Sequence, residues 1–474
     1  MKFTDFLTDV EFFSDKHDSS KIYAEYHGSL PDGTISKNKN FVSIDSPIFE
    51  SYLRLVWIQN SGQKITAREL IQEIRDRCFV YGNPDRVVPK VRMAGTLNDF
   101  IEYDLADYDQ NYVRITADGW KITKKNINKF LKRTVTGSQV KPVITEKSLF
   151  ELLRSYVNTD KKGLVLFTVW LVQAFCQGNH SALLIMAEKG SGKTTLTKII
   201  RKILDPSQLN VSSLPSKNDD FVTLLTNAYM VAFDNLDTLN KQQSDILCIA
   251  ITGATIAKII LFQTNELGVY ELHNTVVLNG IDIMPTESDL AERCLLLNLK
   301  KIEKTARKLD RNIEEDFDAD LPEILGAIFE TLSKAMQLFK GLNPAEKPRM
   351  ADSHVEMLAI ALALGVSESD FNDIYFENLN KIDKARSSIA IVEAVKEYMY
   401  SEQCKGRKFS GKASEVYTKI RDSYSGRKQD LPSSASRFSR KLMAEHSVLY
   451  SAGLTVNIDD TKPDATYIDI IKKK

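Results

Sequence analysis

The sequence predicts an α/β protein with a parallel-sheet core, an N-terminal α+β domain, a helical region and a small C-terminal domain. Three observations support this fold class. The apolar strand at residues 182–186 runs into a glycine-rich segment and then into a helical pattern, as in sheets with helical crossovers. Two further apolar strands follow at 229–233 and 275–278. Helical periodicity dominates after residue 300.

Breaks and composition shifts divide the chain. Lys141-Pro142 ends a stretch of mixed strands and helices, and the last 74 residues carry 15 Lys and Arg against 9 Asp and Glu. We expect an N-terminal mixed α+β domain at 1–140, the core at 141–300, a helical region at 301–385 and a C-terminal domain at 386–474.

Composition excludes several classes of protein. The 63 Lys and Arg balance 63 Asp and Glu, so any nucleic-acid surface must be local. The five cysteines are scattered and never form a C-x-x-C pair, which argues against a disulfide framework or a zinc site. No signal-peptide pattern opens the chain, and the longest apolar run, 163–175, is shorter than the about 20 residues that span a bilayer. We expect a cytoplasmic protein that does not contact membranes.

The glycine-rich segment reads A-E-K-G-S-G-K-T from Ala187 to Thr194. It matches the phosphate-binding pattern G-x-x-x-x-G-K-[ST] except at Ala187, where alanine serves if φ is negative. Backbone amides and the helix N-terminus would hold phosphates, Lys193 would reach the β and γ phosphates, and the Thr194 hydroxyl would ligate Mg²⁺. A chance surface turn is the alternative, but the flanking strand and helix favour a P-loop nucleoside triphosphatase. The expected nucleotide contacts are Ala187, Glu188, Lys189, Gly190, Ser191, Gly192, Lys193, Thr194 and Thr195.

A second motif supplies the expected metal-binding acid. The apolar strand at 229–233 ends in Asp234, 41 residues after Lys193, and we expect Asp234 to hold Mg²⁺ together with Thr194. Asn235 occupies the position where related motors often carry a second carboxylate. Asp237 is the nearest substitute, so the catalytic base stays open.

Two further residues are candidate catalytic groups. Asn279 ends the strand at 275–278 and could orient water, although an ordinary Asn-Gly turn is an equal alternative. Arg293 precedes the apolar strand at 294–297 and could reach the γ-phosphate of a neighbouring subunit. A surface salt bridge is its alternative role.

The order and spacing of these motifs resemble the superfamily 3 helicases, hexameric ATPases of viruses and plasmids that are related to the AAA+ proteins. The segments 233–236, 279–281 and 289–293 look like those of replication ATPases from phages and integrated elements. The resemblance covers the core firmly over 182–299. It implies an AAA+-like fold, ATP and Mg²⁺ as cofactors, and a ring-shaped homo-oligomer, a hexamer by family type, with ATP sites between subunits.

The resemblance also implies a DNA-contacting hairpin before the third strand. The candidate hairpin spans 258–272 and turns at 265–268, where no lysine or arginine occurs. That departure leaves Lys258 as the candidate DNA contact.

The C-terminal order of two helices, 410–423 and 433–449, and two strands, 454–458 and 466–470, resembles a winged helix. Its second helix would place three basic residues on one face, where they could neutralise DNA phosphates. They are Arg437, Arg440 and Lys441. A solvated face or a protein-docking module is the alternative. A second, weaker basic cluster lies at 121–133.

The leading hypothesis is an ATP-driven replicative DNA helicase of a mobile genetic element. Its partners would be single-stranded DNA, origin duplex, further copies of the chain and other replication proteins. Two alternatives stay open. One is a DNA-binding initiator or helicase-loading ATPase that does not unwind, favoured by the hairpin tip. The other is a non-enzymatic ATP-binding scaffold, favoured only by Asn235.

Overall fold

The computed structural model divides into a larger and a smaller compact unit. The larger unit comprises Met1–Ile283 with Glu292–Tyr375, and the smaller comprises Met284–Ala291 with Phe376–Lys474. The structure describes residues 7, 9–18, 20–29, 35–61, 66–80, 85–208, 211–236, 239–259, 267–280, 285, 287–303, 305, 307, 309–404, 406–459 and 466–473. A mixed α/β fold with several sheets is confirmed, and the division into four domains stays a prediction.

The N-terminal part of the larger unit contains a sheet that packs with two helices. Residues 22–26 lie in a strand, and the first helix begins at Pro47. Buried Ala24 and Tyr26 pack with Phe49 and Leu53 in one apolar cluster. The elements are β1 (Glu11–Asp15), β2 (Ile22–Ser29), β3 (Ile35–Ser43), α1 (Pro47–Ser61), α2 (Ala67–Val80) and β4 (Asp85–Val87), with strand order β3-β2-β1-β4.

A second, antiparallel sheet precedes the core. Its strands are β5 (Met93–Gly95), β6 (Ile101–Asp104), β7 (Tyr112–Thr116) and β8 (Gly119–Thr123), paired in chain order. The predicted turn Asp118-Gly119 joins its last two strands. Tyr103, Val113 and Ile115 of this sheet are fully buried.

The core of the larger unit is a parallel sheet with strand order β10-β13-β9-β14. Its strands are apolar because they are buried on both faces, as parallel sheets generally are. The elements in this part of the chain are α3 (Leu149–Arg154), α4 (Lys161–Gln173), β9 (Ala182–Met186), α5 (Lys193–Leu204), α6 (Asn218–Thr226), β10 (Met230–Leu236), α7 (Lys241–Thr252), β11 (Thr255–Ile259), β12 (Leu267–Glu271), β13 (Thr275–Gly280), α8 (Ser288–Ala291) and β14 (Cys294–Asn298). Of these, α8 belongs to the smaller unit.

Long helices follow the sheet: α9 (Asp310–Phe339), α10 (Ala351–Ala363) and α11 (Glu368–Tyr400), and the division between the two units falls inside α11. The segment before α3 crosses α9 closely. Its Val143 N–H donates to the carbonyl of Pro322 at 3.0 Å, and a Cβ at Gly326 would lie 1.8 Å from the Val143 oxygen. Among the described residues, no helix has the length and apolar character needed to cross a membrane.

The smaller unit contains α8, the end of α11 and a three-stranded antiparallel sheet of order β15-β17-β16. Its further elements are β15 (Lys408–Lys412), α12 (Ala413–Ser423), α13 (Ala435–Ala444), α14 (His446–Ser451), β16 (Leu454–Asp459) and β17 (Tyr467–Lys472). The predicted helix start at Ser410 is wrong because Lys408–Lys412 pairs with β17 instead. The single helix predicted over 433–449 is also wrong, since Glu445, with φ −94° and ψ 14°, separates two helices.

Candidate functional site

The glycine loop, residues 187–192, joins β9 to α5. Gly190 and Gly192 have φ of +79° and +82°, which side chains with a Cβ rarely adopt. Gly192 is also the N-cap of α5, so no side chain caps the first helical amides. Ala187 is not among the described residues with positive φ, so glycine is not required there. Such a loop presents backbone N–H groups and a helix N-terminus to an anion.

Lys193 begins α5 and turns back over the loop. Its Nζ donates to the carbonyl oxygens of Ala187 at 2.6 Å and Glu188 at 3.1 Å. Burial lowers the pKa of Lys193, and the nearby Asp234 charge opposes that shift. The ammonium group is thus held at the loop by neutral carbonyls alone, and an incoming anion could replace them.

Thr194 and Asp234 meet directly, although they come from different elements. The Thr194 hydroxyl donates to Asp234 Oδ2 at 2.7 Å, and the Asn235 N–H donates to Asp234 Oδ1 at 2.8 Å. Asn235 is exposed with φ +54° within β10, where the pairing register with β13 shifts between Phe233 and Leu236. Asp237 lies outside the described residues.

Asn279 is fully buried near the first turns of α5. Its Nδ2 donates to Thr197 Oγ1 at 3.2 Å, and the Thr197 hydroxyl donates to the Lys193 carbonyl at 2.9 Å. Its Oδ1 has no hydrogen-bond partner among the described residues. Because β13 lies between β10 and β9, Asn279 and Asp234 end neighbouring strands at the same edge as the glycine loop.

Arg293 lies at the opposite edge of the sheet. The carbonyl of Arg293 accepts from Ala182 N–H at 2.8 Å at the start of β9, whereas the loop follows Met186 at its end. Four strand steps of about 3.3 Å separate these edges by about 13 Å. The Arg293 guanidinium lies 3.9 Å from Cys248 Sγ. The structure therefore does not bring Arg293 to the glycine loop of its own chain.

A cleft of about 1880 Å³ opens beside the glycine loop within the larger unit. Its lining includes Gly190, Gly192 and Thr195 from the loop and α5, together with Tyr156 and Ile302. The Tyr156 hydroxyl donates to Asp320 Oδ2 at 2.6 Å on one wall. The cleft is large enough for a nucleotide-sized ligand.

Lys301, Ile302 and Arg307 lie against the glycine loop, and the sequence pattern did not reveal these contacts. Lys301 Nζ lies 2.9 Å from Glu188 Oε2, and this hydrogen bond lowers the pKa of Glu188. The Ile302 side chain lies 3.6 Å from a Cβ built on Gly192. The Arg307 guanidinium lies 2.6 Å from a Cβ built on Gly190.

A buried ionic cluster anchors the far ends of α5 and β10. Asp205 is fully buried and contacts three guanidiniums, from Arg92 at 3.1 Å, Arg133 at 3.0 Å and Arg201 at 3.6 Å. Burial opposes ionisation of Asp205, but these guanidiniums hold its pKa below the usual value. Arg201 also donates to the carbonyl of Met230 at 2.7 Å, which ties α5 to the start of β10. The i, i+4 spacing of Arg201 and Asp205 is the one sequence pattern that indicates this ionic cluster.

The basic residues of the predicted second helix lie on α13, within the smaller unit. Arg437 and Arg440 are exposed and donate to nearby oxygens of Ser433 and Ser436. Lys441 instead contacts Ser388 and Glu445 within the smaller unit. DNA contact by these three residues stays a prediction.

The hairpin is confirmed as the antiparallel pair of β11 and β12. Lys258 pairs with Gly268 in the backbone, so Gly268 belongs to a strand and not to the tip. The side chain of Lys258 and the tip at 260–266 lie outside the described residues.

Residues 148–372, just under half of the chain, match a family model described as actinomycete integrative conjugative element replication protein. This range contains the glycine loop, Asp234, Asn279 and Arg293. The chain is similar over this range to a replication protein of mobile elements. That confirms the coarser part of the sequence resemblance, and assignment to superfamily 3 stays a prediction.

None of the curated proteins matches the chain. Among solved structures, it is similar to "The apo structure of NrS-1 C terminal region (305-718)", with 13% identity, coverage of 100% of this chain and 98% of that chain, and a TM-score of 0.39. A second neighbour, "The A form apo structure of NrS-1 C terminal region-CTR", has 13% identity, covers 99% and 98% of the two chains, and has a TM-score of 0.40.

Proposed function

We propose that the chain is an ATP-hydrolysing P-loop enzyme with an AAA+-like core. The observation that carries the proposal is the contact between Thr194 and Asp234 at 2.7 Å, beside a glycine loop that opens α5. The loop amides and Lys193 would bind phosphates, and Asn279 would orient water from the same sheet edge.

The donor atoms at this edge suit Mg²⁺. Thr194 Oγ1 and Asp234 Oδ2 are both oxygen ligands, which Mg²⁺ requires. The described residues contain no group of three or more His, Cys, Asp or Glu side chains able to hold a metal. Substrate phosphates and waters would therefore complete the metal shell, as is usual for this ion. When bound, Mg²⁺ would neutralise charge on the phosphates.

The proposed biological role is replicative DNA unwinding for a mobile genetic element. Support comes from the match of residues 148–372 to a replication-protein model.

Since Arg293 lies about 13 Å from the loop of its own chain by strand geometry, its proposed action is on a neighbouring subunit. A ring of identical subunits, six by family type, would place each ATP site between two chains. The smaller unit would act as a winged-helix-like DNA-binding domain.

Separate measurements test ATP hydrolysis and DNA unwinding. With Mg²⁺ and ATP, we expect phosphate release over many turnovers that is abolished in Lys193→Ala, because the phosphate counter-charge is lost. Absence of turnover in the unsubstituted protein would leave only the scaffold alternative. We also expect strand displacement on forked DNA. Intact ATPase without unwinding in either polarity would reject the helicase role.

A DNA-binding initiator or helicase loader is the second candidate. The observation that favours it is the sequence of residues 260–266, between β11 and β12, which has no lysine or arginine. DNA-stimulated ATP turnover without strand displacement would select it.

The smaller unit gives a prediction on DNA affinity. Replacing Arg437 and Arg440 with alanine should weaken DNA binding and reduce the slope of log K against log salt by about 1–2, because each guanidinium neutralises about one phosphate. The control is Lys441→Ala, which removes a side chain already engaged within the unit. Equal salt slopes for the double variant and the unsubstituted protein would contradict DNA contact by α13.

A further inference from the structure

Arg307 places a cation at the glycine loop from outside the strand–loop–helix motif. Arg307 Nη2 lies 2.6 Å from the position that a Cβ would take on Gly190, and its Cζ lies 3.3 Å from it. The guanidinium therefore rests against the backbone of the loop itself. Arg307 also lines the cleft that opens from this loop.

Two other residues that follow β14 also contact the loop. Lys301 Nζ lies 2.9 Å from Glu188 Oε2. The Ile302 side chain lies 3.6 Å from the position of a Cβ on Gly192, at the start of α5. The last residue of β14, Asn298, pairs with Met186 immediately before the loop. Strand pairing therefore brings Lys301 and Ile302 to the glycine loop, where Arg307 also lies.

The charges of the loop make Arg307 distinct from the other nearby cations. Lys301 is neutralised by Glu188, and Lys193 bonds to loop carbonyls. Arg307 has no ion pair with any residue in the described part of the chain, although it adjoins a loop of backbone amides. A planar guanidinium binds phosphate through two parallel N–H groups, which a lysine cannot reproduce.

We propose that Arg307 binds the nucleotide phosphates in cis, closing the glycine loop from the side of the cleft. This inference rests on the proposed ATP site and adds a phosphate ligand that no part of the G-x-x-x-x-G-K-[ST] pattern supplies. Glycine is required at 190 for its φ of +79°, whereas the guanidinium near an added Cβ is the end of a flexible side chain that could shift.

The experiment compares four proteins: the unsubstituted chain, Arg307→Ala, Arg307→Lys and Arg311→Ala. Arg311 is the matched control, since it is a nearby exposed arginine of α9 whose Nε lies 3.7 Å from Glu315 Oε1. The readouts are binding of a fluorescent ADP with Mg²⁺, and its competition by inorganic tripolyphosphate and by adenosine. Thermal unfolding checks that every variant is folded.

For Arg307→Ala we expect about tenfold weaker binding of ADP and of tripolyphosphate, the usual effect of losing one charge-assisted hydrogen bond. Adenosine competition should be unchanged, because it has no phosphate. Arg307→Lys should recover part of the affinity, and Arg311→Ala should match the unsubstituted chain.

Tripolyphosphate binding by Arg307→Ala equal to that of the unsubstituted chain would overturn the assignment. So would an equal loss for adenosine, which would indicate a structural effect on the cleft. If the unsubstituted chain binds neither nucleotide nor tripolyphosphate, both this assignment and the proposed ATP site fail.

Discussion

Glu356 is a half-buried carboxylic acid in α10. Burial raises its pKa to about 7, while a hydrogen bond from Gln173 Nε2 to its Oε2 at 3.0 Å works in the opposite direction. Because this folded-state pKa lies above the ordinary 4.5, the folded protein binds more protons than the unfolded chain between these values. The contribution of Glu356 to stability is therefore full below about pH 4.5 and is lost as the pH rises through 7.

Glu356→Gln should remove this pH dependence. The amide keeps an acceptor for Gln173 and has no charge to bury, so the variant should exceed the unsubstituted protein in stability at pH 8 by up to about 3 kcal/mol and match it near pH 4.5. Thermal unfolding across this range measures the difference. Glu330→Gln, at an exposed i, i+4 pair with Lys334, serves as the control. Parallel curves for Glu356→Gln and the unsubstituted protein would contradict the prediction.

The residues of the candidate site that belong to local motifs could be predicted from the sequence. Lys193 and Thr194 follow one strand, and Asp234 follows another, so their patterns are readable within a few residues. Arg307 contacts Gly190 across more than a hundred residues, and no local pattern reports such a contact. The separation of Arg293 from the loop also depended on strand order, which the sequence did not provide.

Helix α9 shows how one element depends on another. The segment at Val143 crosses it so closely that only a glycine at 326 leaves room for the Val143 carbonyl. A glycine in a helix interior normally costs about 1 kcal/mol relative to alanine. Here the contact with the Val143 carbonyl determines whether alanine raises or lowers the stability, because backbone atoms cannot move aside as a flexible side chain can.

Gly326→Ala should therefore destabilise the protein by about 1–3 kcal/mol, despite the better helix propensity of alanine. Denaturant unfolding followed by circular dichroism measures the change. Gly178→Ala is the comparison, since its added methyl would meet only the Glu356 side chain, at 3.4 Å. A more stable Gly326→Ala protein would show that propensity outweighs the contact.

The sequence predicted helices and strands correctly where the hydrophobic periodicity was strong. It failed where pairing with a distant strand determines the structure of a segment. The buried strand at Ala182–Met186 and the helical stretch after residue 300 carry unambiguous patterns. Ser410 lies in a strand because β17 supplies a partner, an effect of tertiary context that propensity does not contain. The end of α13 at Ala444, before Glu445, likewise had no glycine or proline to mark it.

At the scale of the larger unit, Asp205 joins parts of the chain that are far apart in sequence. Arg92 and Arg133 lie in the segment before the core, while Arg201 belongs to α5. Arg92 further donates to the carbonyl oxygens of Asp104 and Pro206. One carboxylate therefore holds the segment before the core against the helix that opens with Lys193.

Asp205→Asn should destabilise the protein by about 3–5 kcal/mol, because three guanidiniums would then be buried without a counter-charge. Equilibrium unfolding in urea measures the loss. The control is Asp318→Asn, whose exposed pair with Lys202 at 2.7 Å should contribute less than about 1 kcal/mol. Equal stabilities of the two variants would show that the cluster does not hold the segment.

The same cluster constrains how this protein can change over evolutionary time. Loss of Asp205 would leave three buried guanidiniums without a counter-charge. Loss of one arginine would still leave two guanidiniums to balance the charge of Asp205. We expect divergent relatives to lose the arginines singly and in steps, and to replace the acid only after them.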